Sequence, residues 1–464
     1  MTNGRFFDSV SSRRGFLKES TGFGLAAAAA PFVLNLADIG EAAAATASDY
    51  KALVCVFLLG GNDHANTLVP YDAANHALYS GFRSAIALAR ADLAATVLAP
   101  ATPLPGGVQY ALAPTLAPLL PIFNAGRMAA VLNVGTLIQP TTKAQYQARS
   151  VPLPPKLFSH NDQQAFWQAS TSEGAKSGWG GRMADWFLFQ NTTPALTSIN
   201  AASNAMFLAG KTTVQYAVTP SGPVPLNGNA ATLFGSATAA ATLQSLVGTP
   251  QSGQLANELA RTSSRALMTY GQVSTALAAA PTILTSFPTG NTLADQLKIV
   301  ARLISVSQQL GAKRQIFFVS LGGFDLHAGL ATTQPVLLGR LADALRAFYD
   351  TTVELGVADR VTAFTASDFG RTLVSNSSGS DHGWGSMHFV LGGAVKGREF
   401  YGRPPVLADN GPDDVGQGRL LPATSVDQYA ATLANWFGVS DSNLATVLPF
   451  IGNYPTLSRK LGFL

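Results

Sequence analysis

Five runs of apolar residues frame the chain. KALVCVFLLGGND (51–63) stays apolar until it ends in two glycines, an amide and an acid. QIFFVSLGGFD (315–325) and RVTAFTASDFG (360–370) also end in glycine and an acid, and MAAVLNVG (128–135) and MHFVLGG (387–393) are shorter runs ending in glycine. Runs of this length without polar alternation predict strands buried on both faces. Helical periodicity lies between them. TLADQLKIVARLISVSQQLG (292–311) places Leu293, Leu297, Val300, Leu303 and Ile304 on one face. QPVLLGRLADALRAFYDTTVELG (334–356) is expected to open at Pro335 and close at Gly356, with Leu338, Leu341, Leu345 and Phe348 as its apolar stripe. SVDQYAATLANWFG (425–438) begins as a Ser-x-x-Gln capping box. The alternation predicts an α/β fold, with a mostly parallel central sheet and helices on both faces. Residues 195–290 break the rhythm. They are rich in Ala, Thr, Ser and Gly and read as a largely helical insertion, a cap or lid, with TTVQYAVT as an extra hairpin strand.

Composition narrows the function classes. The chain has 464 residues, 47% of them apolar, enough for one large α/β domain with an insertion or for two domains. The net charge of +4 comes without Lys/Arg runs, so no nucleic-acid partner is expected. Cys55 is the one cysteine, which excludes an internal disulfide and a thiolate metal cluster. Within ALVCVFLL it reads as a small buried hydrophobe. The N-terminus carries its own signal. SSRRGFLK (11–18), an apolar stretch broken by Pro31 and a small-residue segment (40–48) come in the order of a twin-arginine export signal, which they resemble. Residues 1–47 are therefore expected to be a signal peptide read by the Tat translocon. The mature protein would be periplasmic or secreted, with no permanent membrane span.

The strand ends carry the candidate chemistry. They supply Asn62 and Asp63, then Asp325 and His327, then Asp368 and Arg371, with Asp381 and His382 in the next loop and His388 on the last strand. In an open parallel sheet ligands bind beyond the carboxyl ends of the strands. Several acids gathered there stay ionised only with cations between them. Carboxylates plus imidazoles suit Zn, Mn, Mg or Ca, one or two ions. Each motif alone has an ordinary structural reading as turn, helix cap or core. Their coincidence with four of the six histidines carries the argument, and a fifth, His160, stands in the next motif. LFSHNDQQAFWQAS (157–170) places Ser159 ahead of an amphipathic helix. A hydroxyl there is either a helix cap or a nucleophile favoured by the helix dipole.

GGNDHANTLVP, SHNDQQAFW, GGFDLH, SDFGRT and GSDHGWGSMHFVLGG resemble the exported bacterial proteins of the domain of unknown function 1501 family, across nearly the whole mature chain. That family in turn is similar to the alkaline phosphatase and sulfatase superfamily. The resemblance implies an alkaline phosphatase-like α/β/α sandwich over 48–464. It implies Ser159 as nucleophile, and Asp63, Asp325, His327, Asp368 and His382 as metal ligands. Phe369 stands where the superfamily pattern has a histidine, so Asp381 or His388 is the expected replacement ligand. The sulfatase Cys/Ser-x-Pro-x-Arg signature is absent, which argues against formylglycine chemistry. Arg371 or Asn62 is expected to hold the oxygens of the transferred group. The expected function is a metal-dependent hydrolase of phosphate or sulfate esters, acting on a small anionic ester or an envelope polymer. The alternative is a non-catalytic envelope binding or assembly protein that keeps the fold.

Overall fold

The computed structural model describes residues 50–171, 174–203, 205–225, 232–250, 252–408 and 410–464, so the expected signal peptide lies outside the described residues. In chain order the strands that matter here are β1 (Lys51–Leu58), β2 (Met128–Gly135), β3 (Ser198–Asn200), β4 (Tyr216–Thr219), β5 (Gly222–Pro223), β6 (Arg314–Leu321) and β7 (Val361–Ser367). They continue with β8 (Arg371–Ser375), β9 (Ser380–His382), β10 (Ser386–Gly392) and β11 (Phe400–Tyr401). The helices that matter here are α1 (Ala73–Arg83), α2 (His160–Ala169), α3 (Ala237–Gly248), α4 (Gln254–Ala278), α5 (Thr292–Ser305), α6 (Leu330–Glu354) and α7 (Val426–Phe437). The main sheet runs β11-β2-β10-β7-β1-β6-β3-β4-β5. β1 pairs in parallel with both β6 and β7, and β3 pairs in parallel with β6 and β4. β10 is antiparallel to both its neighbours, β2 and β7.

The continuous apolar runs behave as their pattern requires. Alternate residues of β1 feed two separate cores. Ala52, Val54, Val56 and Leu58 join the cluster built with α5 and α6, while Leu53, Cys55 and Phe57 join the cluster built with α7. Cys55 is buried inside the second cluster. α7 starts with the Ser425/Gln428 capping box read from the sequence. α6 differs from expectation at its start. It begins at Leu330 after Gly329 in a left-handed conformation, so Pro335 lies inside the helix instead of opening it. Residues 195–290 do more than add helices: besides α3 and α4 they supply β3, β4 and β5, which extend the sheet edge beyond β6. No described helix is long and apolar enough to cross a membrane.

Three residues expected at the rim chemistry serve the interior instead. Asp63 is 2% exposed. It binds the Arg83 guanidinium of α1 at 2.6 Å, accepts the Ser380 hydroxyl and caps Asn66 N–H. Burial opposes its ionisation, but Arg83 beside it holds the carboxyl below the usual range. It is thus already neutralised, and removing one partner of such a buried pair costs about 3–5 kcal/mol. Asn62 bonds the Thr67 hydroxyl and accepts from Gln334, away from any anion-binding role. His388 sits in the core edge-on to Trp167 and stacked on Tyr429. Desolvation drives its pKa down to about 3, and that of the buried His64 down to about 4, from 6.5.

Both imidazoles therefore stay neutral in the fold while the unfolded chain protonates them below pH 6.5. Their stabilisation is present above that pH and is lost as the pH falls towards their folded values. Between pH 6.5 and 4.5 each should cost about 2–3 kcal/mol of stability. Denaturant unfolding of wild type and His388→Met at both pH values tests this. The variant should lose less stability on acidification by about one such share, and an equal loss would contradict the assignment.

Candidate functional site

Five segments meet at the carboxyl rim of the sheet. The registers Leu58↔Leu321 and Leu58↔Ser367 bring the ends of β1, β6 and β7 level. Gly60 then has to pass against the β6 exit. Its φ of 112° suits glycine, and a Cβ there would lie 2.4 Å from the Asp325 backbone nitrogen. Its N–H donates to both carboxylate oxygens of Asp368, at 3.2 Å each. Because β10 is antiparallel, its beginning lies at this same rim. The β8–β9 ribbon ahead of it, with Arg371 paired to His382, is carried there too. The fifth segment is the first turn of α2, which presents His160 after Ser159.

Three imidazoles are oriented by their Nδ1 atoms and converge through their Nε2 atoms. His160 Nδ1 lies 2.7 Å from Asp368 Oδ2, which also accepts from Gln164. His327 Nδ1 lies 3.0 Å from Asp381 Oδ1, which Asn376 steadies. His382 Nδ1 lies 2.7 Å from the Phe158 carbonyl oxygen. A carbonyl or an ionised carboxylate can only accept, so each Nδ1 carries the proton and each neutral ring presents a lone pair at Nε2. Those three atoms surround Asp325. His327 Nε2 is 3.1 Å and His382 Nε2 3.3 Å from its Oδ1, and His160 Nε2 is 3.4 Å from its Oδ2. The His160 contact lacks hydrogen-bond alignment, which leaves that buried nitrogen without a hydrogen-bond partner. The His327 and His382 Nε2 atoms are 2.9 Å apart. Two bare lone pairs at that distance repel unless a proton or a cation lies between them.

The surrounding charges are tuned to keep Asp325 ionised. Burial opposes this, but the Arg371 guanidinium at 2.8 Å holds its carboxyl below the usual range. Arg371 is fully buried and also donates to the Gly60 and Ser380 carbonyls. It is a clamp on Asp325 and cannot also grip the oxygens of a transferred group, the role expected for it. The hydrogen bond that His160 donates to Asp368 raises the pKa of His160, whereas burial lowers that of His382. Phe369 packs its ring 4.8 Å from His160 and 4.7 Å from His382, against one side of the pair, whose own rings meet edge to face at 4.3 Å. Ser159 heads α2 without capping it by its side chain, and its hydroxyl donates to Asp162 Oδ2 at 2.9 Å.

The rim therefore gathers Asp325, His327, Asp368, Asp381, His382 and Arg371, with Ser159 next to His160. The donor atoms of His160, Asp325 and His382 all lie within 4.8 Å of one another, a spacing that can hold one metal ion, and His327 faces the same carboxylate. Asp368 and Asp381, expected as ligands, instead hold the outer nitrogens of His160 and His327. The sequence shows His160 but does not assign it as a donor. Its one signal is its place beside Ser159 at a helix start.

Comparison with known proteins gives a family. A search of the curated proteins finds no match. Among solved structures the chain is similar to Ps i-CgsB in complex with k-i-k-neocarrahexaose, at 10% identity and a TM-score of 0.33, over 88% of this chain and 77% of that one. It is similar to Ps i-CgsB alone at 11% identity, with the same TM-score and coverage. Likeness at that level carries no argument about fold or activity. The family model described as "Protein of unknown function (DUF1501)" matches residues 50–448, which include every rim residue named above, and the chain belongs to the DUF1501 family.

Proposed function

We propose that this protein is an exported, single-cation metal-dependent hydrolase of phosphate or sulfate esters, built on an alkaline phosphatase-like α/β/α sandwich. The observation that carries this reading is the convergence of three Nδ1-anchored imidazoles on the Asp325 carboxylate. Outer partners on Nδ1 are the usual means of orienting metal-binding histidines and raising their basicity. Three nitrogens and one carboxylate favour Zn, then Mn, over the oxygen-seeking Mg and Ca. The phenyl ring of Phe369 and the Asp63–Arg83 ion pair take away the donors a second ion would need, which supports one ion and not two.

A bound dication would supply Lewis acidity to the ester oxygen and to a nearby hydroxyl. The chain's own residues contribute the rest. His160, His327, His382 and Asp325 would hold the ion, and Arg371 keeps Asp325 aimed and ionised. Ser159, at the positive end of α2, is the nucleophile, and Asp162, 3% exposed, accepts the hydrogen bond of its hydroxyl and would take that proton. Lys156 Nζ lies 3.6 Å from the same carboxylate oxygen.

Metal analysis of the protein purified from the periplasm should find about one equivalent of Zn or Mn. Ser159→Ala should keep that metal and lose at least a hundredfold in turnover on whichever phosphate monoester, diester or sulfate ester is cleaved. Absence of metal would sink the reading. Metal with no turnover on any ester would instead favour the envelope-binding alternative.

The outer shell gives an independent check. Asp368→Asn should weaken metal affinity by about 10–100-fold. It should also lower the pH at which His160 gives up its lone pair to a proton, because the carboxylate that raises its pKa is gone. Metal titrations of wild type and variant between pH 5.5 and 8 should therefore show affinity lost on acidification at a lower pH in the variant. Identical pH profiles would argue against His160 as a ligand.

A further inference from the structure

The buried engagement of Arg371 leaves the proposed reaction without its expected anion-gripping group. Another arginine stands at the same mouth. Arg419, half-buried, donates from Nε to the backbone carbonyl of His382 at 3.0 Å. Its guanidinium lies over the Phe158 ring, 4.7 Å from the centroid. Neither terminal nitrogen has a hydrogen bond or ion pair to any described residue. Phe158 is itself unusual: it holds φ at 73°, a conformation that costs a bulky residue energy and persists only where its surroundings impose it. That turn has two results. It aims the Phe158 carbonyl at His382 Nδ1, and it lays the aromatic ring beneath Arg419.

Stacking on an aromatic face and a latch at Nε fix the plane of a guanidinium while leaving its outer edge free. A fixed, open edge of two terminal nitrogens matches two oxygens of a tetrahedral anion or a carboxylate. We infer that Arg419 is the anion-recognition residue of this site, binding an anionic oxygen pair of the substrate next to the imidazole cluster. The inference rests on the metal-dependent hydrolase reading for its biological use, although the anion binding can be measured without turnover. The ligand class is a sulfate or phosphate group, whether the group under attack or a neighbouring one on the same substrate.

The test uses the full mature protein and inorganic sulfate and phosphate as probes. Calorimetric titration should show binding to wild type that weakens about tenfold or more in Arg419→Met, the loss expected for a hydrogen-bonded charge pair. Arg419→Lys should restore part of it. Metal content and thermal midpoint, measured on each variant, separate loss of the anion site from collapse of the neighbouring His382. In turnover, the loss should fall on KM. Equal anion affinity in wild type and Arg419→Met, or no anion binding by the metal-containing wild type, would overturn the assignment even if ester hydrolysis is found. Weakened anion binding in Arg419→Met with no ester cleaved would leave Arg419 supported and the hydrolase reading failed.

Discussion

Two imidazole nitrogens that cannot both tolerate each other's lone pair lie 2.9 Å apart beside a carboxylate. The arrangement at the rim stems from this constraint. His327 and His382 cannot relieve it by moving their protons inward, because each proton is held on the far side of its ring by Asp381 or the Phe158 carbonyl. The price of such an arrangement without a charge at its centre would be repulsion among Asp325 and three facing nitrogens. A protein that fixes the outer atoms so firmly has preorganised the inner ones for a positive charge.

The fold provides this geometry with few special devices. Level strand ends put Asp325 and Asp368 side by side, and one glycine, Gly60, allows the close passage between them. One antiparallel strand does the rest. Had β10 run parallel, the ribbon with Asp381 and His382 would have led away from the rim, and His327, just beyond β6, would have lacked Asp381 as its partner. The strain at Phe158 and the buried Arg371 clamp are local costs at the same place, where structures concentrate such costs for function.

Much of this is legible in the sequence because continuous apolar runs mark central strands, and the residues directly after such a run must lie at the strand's end. That logic places Asp325, His327, Asp368 and His382 together. It fails for Asp63 because the neutralising Arg83 comes from a helix twenty positions away, a pairing that strand periodicity does not encode. It fails for His388 for a related reason. A histidine on a two-sided strand looks the same in sequence whether it faces ligand or core, and here Trp167 and Tyr429 decide the matter. The motifs bring Asp368 and Asp381 to the site without marking them as outer supports. Motifs show which residue types arrive, while only geometry shows which imidazole nitrogen each one holds.

The charges at the rim bear on what would be drawn there. Asp325, Asp368 and Asp381 bring three negative charges, and Arg371 cancels one of them. The Asp63–Arg83 and Asp162–Lys156 pairs are neutral within themselves. With the imidazoles neutral, two negative charges remain, the number a divalent cation would cancel. Arg419 has no ion pair with any described residue, so it is then the uncompensated charge of the assembly. A site balanced in this way repels a second cation and attracts an anion, and the attraction is strongest at the stacked guanidinium edge rather than at the ion itself. On the proposed hydrolase reading, an anionic ester would match the rim's electrostatics, and a neutral ester would leave Arg419 without a partner.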